Sequence, residues 1–67
     1  MNNATHATAL FFMNKKTFVH IKTNASFYNG YITELNNEFL VINDRFVGDM
    51  PVNLSEIIKI EPYKVRE

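Results

Sequence analysis

Two serines, two histidines and a pair of glutamates near a turn are the residues of this chain whose types could do covalent or acid–base chemistry. Ser26 and Ser55 have no histidine at a spacing that would make it their base, and His20 falls on the outward side of an alternating strand. A nucleophile needs a base within hydrogen-bond reach, so this pattern supplies no nucleophilic apparatus. Glu34 and Glu38 flank a turn and could approach one another as the paired carboxylates of glycoside hydrolysis do. Acids beside a turn are more commonly just solvated, and no enzyme is expected. The absence of Cys removes thiolate ligands and disulfides together. His6 and His20 have no carboxylate or second imidazole at ligand spacing, so neither a metal nor another cofactor is expected.

The other chemistry open to these residue types is stacking. Phe18, Phe27, Tyr28, Tyr31 and Phe39 lie close in sequence to Lys22 and Asn36. Aromatics interleaved with cations suit single-stranded RNA, because every base has a π-face to stack. Asn36 and Asn53 could donate and accept at a base edge. Each also has a plainer use, since aromatics fill cores and subunit contacts and turn asparagines need no ligand. Phe27 and Tyr31 alternate away from Tyr28 and Ile32, so they should face outward, as subunit contacts or as a stacking platform.

The elements that would hold these residues follow from periodicity. Residues 1–8 are small and polar and read as a flexible N-terminus ahead of a single domain over 9–67. Thr8 can cap a short helix carrying Leu10, Phe11, Phe12 and Met13. Asn14, Lys15 and Lys16 end it, with cations where the helix dipole favours them. Its apolar residues must lie on something, and the open end of a barrel is the expected seat. From Thr17 the period becomes two. Val19 and Ile21 point one way on the first strand, and Asn24 and Ala25 form a turn. Gly30 sits mid-strand in residues 27–35, where it marks a sharp bend or a close backbone approach. A tight turn at 36–38 leads to residues 39–42, apolar on both sides and so expected to be buried on both. After Phe46 and Val47 comes a turn at Gly48-Asp49, and the strand at 50–54 contains Pro51, which removes a ladder donor and belongs on an edge. Ser55 and Glu56 make a corner. Residues 57–61 form a fifth strand stopped by Pro62, with a tail over 63–67 too short for another element. The expected fold is all-β: a short N-terminal helix plus a five-stranded, strongly bent antiparallel small barrel.

The 67 residues leave room for one domain. A core of that size yields only about 3–5 kcal/mol, and small domains usually add a staple. With no disulfide or metal to serve, self-association remains. Seven acids balance seven bases, so a monomer lacks the basic face that grips duplex nucleic acid. A ring could still gather Lys15, Lys16, Lys22 and Arg45 on one surface. The apolar run at 9–13 is too short to span a bilayer, and its lysines follow rather than precede it, unlike a signal peptide. The expectations are therefore no membrane, no small-molecule substrate and a cytoplasmic location.

A helix followed by five strands, with glycine in the middle of the second, resembles the Sm-like family (LSm and Hfq type) over about Leu10 to Glu61. The stretch from Val19 to Asn36 is similar to the first Sm motif. Asn24-Ala25 stands for its Asp-Gly-like turn, Tyr28 for its aromatic, Gly30-Tyr31-Ile32 for Gly-x-Leu and Leu35-Asn36 for its Phe-Asp pair. Val52 to Ile57 resembles the strand–corner–strand segment of the second motif. Uridine-binding members use an Asp, an aromatic or His two residues on, an Asn two further on, and an Arg from the second motif. Those positions here hold Asn36, Glu38, Leu40 and Asn53; with strand three one residue shorter, Phe39 falls where the Asn does. The base pocket is thus not carried over intact. The resemblance implies a homo-oligomeric ring of about five to seven copies, strand four of one protomer pairing with strand five of the next. It also implies single-stranded RNA binding on loops lining one face of the pore, through Asn36, Glu38, Phe39, Asn53 and Lys22. Two other readings stay open: a structural or protein-interaction ring without RNA, and a monomeric barrel that binds a peptide.

Overall fold

The computed structural model describes residues 3–64, with only the backbone of Asn3. Helix α1 (Asn3–Asn14) is followed by β1 (Val19–Thr23), β2 (Phe27–Leu35), β3 (Phe39–Asp44) and β4 (Gly48–Asn53). A 3-10 turn, η1 (Leu54–Glu56), then leads into β5 (Ile57–Pro62). The strands form one antiparallel sheet in the order β4-β3-β2-β1-β5. Register shifts between Ile32 and Glu34 and between Lys22 and Thr23 bend it, because a bulge kinks its strand and increases the local twist. A short helix on a bent five-stranded sheet, barrel-like and mostly β, is the architecture expected from the residues.

The helix differs from expectation at its start. It begins at Asn3, so Thr8 lies in its interior and caps nothing, and residues 3–8 are regular helix. Ala4, Ala7 and Ala9 are the strongest helix formers, and Ala9 is wholly buried against the sheet. Met1 and Asn2 of the expected flexible segment, and residues 65–67 of the tail, lie outside the described residues. The helix ends at Asn14 as read. Lys16 N–H donates to Met13 O and Thr17 N–H to Phe12 O, both at 3.1 Å, while Lys16 holds φ at 55°. This is a Schellman ending with lysine at the position that favours glycine.

Not all of the apolar helix residues bury. Ala9 is in the core and Phe12 and Met13 pack on it, whereas Leu10 and Phe11 are exposed. Four consecutive residues point almost all round a helix of 3.6 residues per turn, and only one stripe can face a sheet. The core itself is Val19 and Ile21 from β1, Ile32 from β2, Leu40 and Ile42 from β3, Val52 from β4, Leu54 and Ala9. Val19, Ile21, Leu40 and Ile42 are fully buried, each stabilising the fold by about 1.5–3 kcal/mol. Strand β3 was expected to bury both faces, but Phe39 and Val41 are only half-buried. The helix packs chiefly on β2 and β5 rather than on β3.

Gly30 is a close-approach glycine. A Cβ there would run into the carbonyl oxygen of Asn43 and stand 2.7 Å from its carbon. Pro51 lies in β4, which is an edge strand as read. Pro62 is the last residue of β5, one beyond the expected end at 61, and is paired with Val19; beyond it Tyr63 N–H donates to Phe18 O at 2.9 Å. An edge strand tolerates a residue without a donor.

Candidate functional site

The turn between β2 and β3 is built on Asn36. Its Oδ1 accepts from Glu38 N–H at 2.8 Å and from Phe39 N–H at 2.9 Å, and its own N–H donates to Phe39 O at 3.0 Å. This is an Asx turn, in which the side chain replaces a backbone acceptor. Leu54 N–H donates to Glu38 O at 2.9 Å, and Phe39 pairs with Asn53. The β2–β3 turn and the corner after β4 are thereby tied together, and Asn36, Glu38, Phe39 and Asn53 share one end of the sheet. Asn36, Glu38 and Asn53 are exposed and Phe39 is half-buried, whereas Leu40 points into the core. Of the two registers read from sequence, Phe39 is the side chain left on the outside. Lys22 is not brought to this group. It is exposed on β1 opposite Phe27 and Lys59, separated from β3 by β2.

The hairpin's other end rests on Asp44, a residue the sequence reading passed over. Asp44 is buried, and its Oδ2 accepts from Asn29 N–H at 2.9 Å. Its Oδ1 accepts from Phe46 N–H at 2.8 Å and Val47 N–H at 3.0 Å. The bond from the Asn29 amide, followed by those from Phe46 and Val47, holds this carboxyl below its ordinary pKa, because all three favour the charged form. Arg45 N–H donates to Asn29 O at 3.0 Å, so the turn over residues 45–47 is stitched to β2 from both sides. The available signal was an Asp closing an apolar strand just before a turn that ends in glycine; Gly48 has φ at 83°.

A third group crosses the outer face. Phe18 lies edge-on to Tyr31 with centroids 5.1 Å apart and to Tyr63 at 5.4 Å. The row follows from register: Val19 pairs with both Gly30 and Pro62, so the residue before Val19 stands opposite Tyr31 on one side and Tyr63 on the other. Arg45 places its guanidinium 4.9 Å from the Phe46 ring and 5.0 Å from the Tyr63 ring, and donates to Tyr63 Oη at 3.2 Å. Phe27 does not join Tyr31; its ring tilts against His20 at 5.6 Å. Tyr28 packs on the core.

Two of the groups considered for catalysis, His20 and Ser26, have other partners. His20 Nδ1–H donates to Asn29 Oδ1 at 2.7 Å, and Ser26 Oγ donates to Phe27 O at 3.5 Å. Among the described residues no cluster of three or more His, Asp or Glu could hold a metal ion, and no helix is long and apolar enough to cross a membrane. No protein-family model matches the chain, and no curated protein matches it at a significant level.

Proposed function

We propose that this chain is an Sm-like, ring-forming protein that binds single-stranded RNA through the β2–β3 and β4–β5 loops facing a central pore, and that it works in the cytoplasm. The observation that carries this reading is the pair of open edges. Strands β4 and β5 end the sheet on opposite sides and are each six residues long. Edges of matched length can satisfy one another across copies, and a closed ring leaves no unpaired edge to aggregate. In such a ring, Asn36, Glu38, Phe39 and Asn53 recur once per subunit around one end. Net charge is zero, so each subunit grips weakly and affinity comes from several sites on one strand.

One observation favours the other ring reading, a structural or protein-interaction ring without RNA. The Asn36 carbonyl is committed to the turn, which leaves only its amide group for a base. Titration of the purified protein with oligo-U and oligo-A at low and moderate salt separates the two, with native mass spectrometry giving copy number and co-purified RNA. The RNA reading expects binding that rises steeply with strand length. Failure of both homopolymers at every length and at low salt leaves the protein ring.

A further inference from the structure

We infer that the outer face of the sheet at the β3–β4-turn end, formed by Tyr31, Phe18, Tyr63, Arg45 and Phe46, is a second stacking surface for single-stranded nucleic acid. It lies at the opposite end of the β3–β4 hairpin from Phe39 and Asn53, and it does not depend on the loops having any ligand.

The rings are placed for contact rather than for the core. Phe46 is 80% exposed at the apex of its turn, and Tyr31 is 46% exposed. The turn is rigid, since Asp44 holds the amides of Phe46 and Val47, so the Phe46 ring is presented by a fixed backbone. Arg45 covers one face of that ring and leaves the other open to a base. One guanidinium nitrogen is used on Tyr63 Oη; a guanidinium has five donors, and the others can reach a phosphate.

Charge around the row is complementary to a phosphodiester backbone. Lys16 lines an open depression with Tyr31 and Thr33 on one flank, and Lys64 lines another with Tyr63, His20 and Glu61 on the other. Each of the three nearby acids has a partner of its own, although Glu61 shares the depression with Lys64. Asp44 is turned inward onto three amides, Glu61 sits 3.7 Å from Lys59, and Asp49 accepts from the Asn43 amide at 2.8 Å. Aromatic rings flanked by cations are the combination that holds single strands without reading sequence. Stacking addresses the face of a base and not its sugar, so RNA and DNA single strands are expected to bind alike. A duplex hides those faces.

The test is anisotropy of labelled oligo-U and oligo-dT with the parent protein and four variants, Phe46→Ala, Tyr31→Ala, Arg45→Gln and Asn53→Ala. Phe46→Ala is expected to keep the parent's melting temperature, because its ring is exposed, and to weaken both oligomers about tenfold or more. Tyr31→Ala should follow it. Arg45→Gln should weaken binding and lower the salt slope by about one phosphate. Tyr31 and Tyr63 are two of three tyrosines in a chain without Trp, so quenching of intrinsic tyrosine fluorescence should accompany binding. Parental affinity in Phe46→Ala and Tyr31→Ala overturns the inference, as does failure of the parent to bind either oligomer, or equal competition by a duplex. Loss of binding in Asn53→Ala with Phe46→Ala unaffected overturns this surface and spares the loop reading; the reverse pattern supports this surface and removes the loops.

Discussion

At the scale of single residues, Asp44 carries the most structure for its size. One carboxylate closes the β3–β4 turn and docks it on β2. Its pKa in the folded chain lies below the ordinary value of 3.8, so the unfolded chain takes up its proton first as pH falls. The stabilisation is therefore complete above that ordinary value and disappears as pH drops below it and through the lower folded value. Urea midpoints measured from neutral pH downward should fall across that acid range in the parent. Asp44→Asn should start lower at neutral pH, since an amide cannot accept all three bonds, and should lose less on acidification. Equal acid slopes in the two proteins would remove Asp44 as the titrating group. Lys16 makes a second test. A non-glycine residue in the left-handed region pays about 1–2 kcal/mol, partly offset because glycine loses more freedom on folding. Lys16→Gly should stabilise the chain by about 0.5–1 kcal/mol, read as a raised denaturation midpoint.

At the scale of elements, the bend of β2 depends on Gly30. Its Cα passes so close to Asn43 that any side chain meets backbone rather than a movable side chain. Gly30→Val is expected to cost on the order of 2–4 kcal/mol, at the upper end for point substitutions. An unchanged melting temperature would mean that β2 and β3 do not approach in solution as described. The β2–β3 turn gives the complementary case. Asn36 accepts two backbone amides, so Asn36→Ala should lose about 1 kcal/mol of stability whatever it does to RNA. Asn53 is exposed and makes no side-chain cap on η1. Asn53→Ala should leave the melting temperature within a degree or so of the parent while weakening homopolymer binding. It is the cleaner probe, although sequence alone ranks the two asparagines together.

For the whole molecule, the proposed ring is tested through the small core and the two open edges. Among the described residues eight hydrophobic side chains form the buried core, while Ile58 on β5 and Val47 before β4 stay exposed at the sheet's margins. Sedimentation at micromolar concentration should show one closed species of about five to seven copies; a stable monomer would end the ring reading, and a ladder of sizes would indicate head-to-tail pairing that does not close. With few phosphates neutralised per subunit, the salt dependence of RNA binding should be shallow even where length dependence is steep.

Period-two alternation was enough to set Val19 and Ile21 on one face, the mid-strand glycine to mark a bend or a close approach, and Pro51 to mark an edge. These are local properties: strand faces alternate along one segment, and a missing Cβ or N–H restricts its neighbours wherever it sits. The helix start was hidden because polar threonines among alanines resemble a frayed end, and only the folded chain sets Ala4, Thr5 and Thr8 beside β5. Which of Leu10, Phe11, Phe12 and Met13 would bury was equally undecidable, since that depends on where the sheet lies around the helix axis. Asp44, Arg45 and Tyr63 belong to the same class. The three amides that hold Asp44 and the ring beneath Arg45 come from residues separated by as many as 15 and 18 positions. Spacing along a chain encodes neighbours within an element. Only the folded sheet, by setting which strands lie side by side and in what register, brings those distant partners within a hydrogen bond.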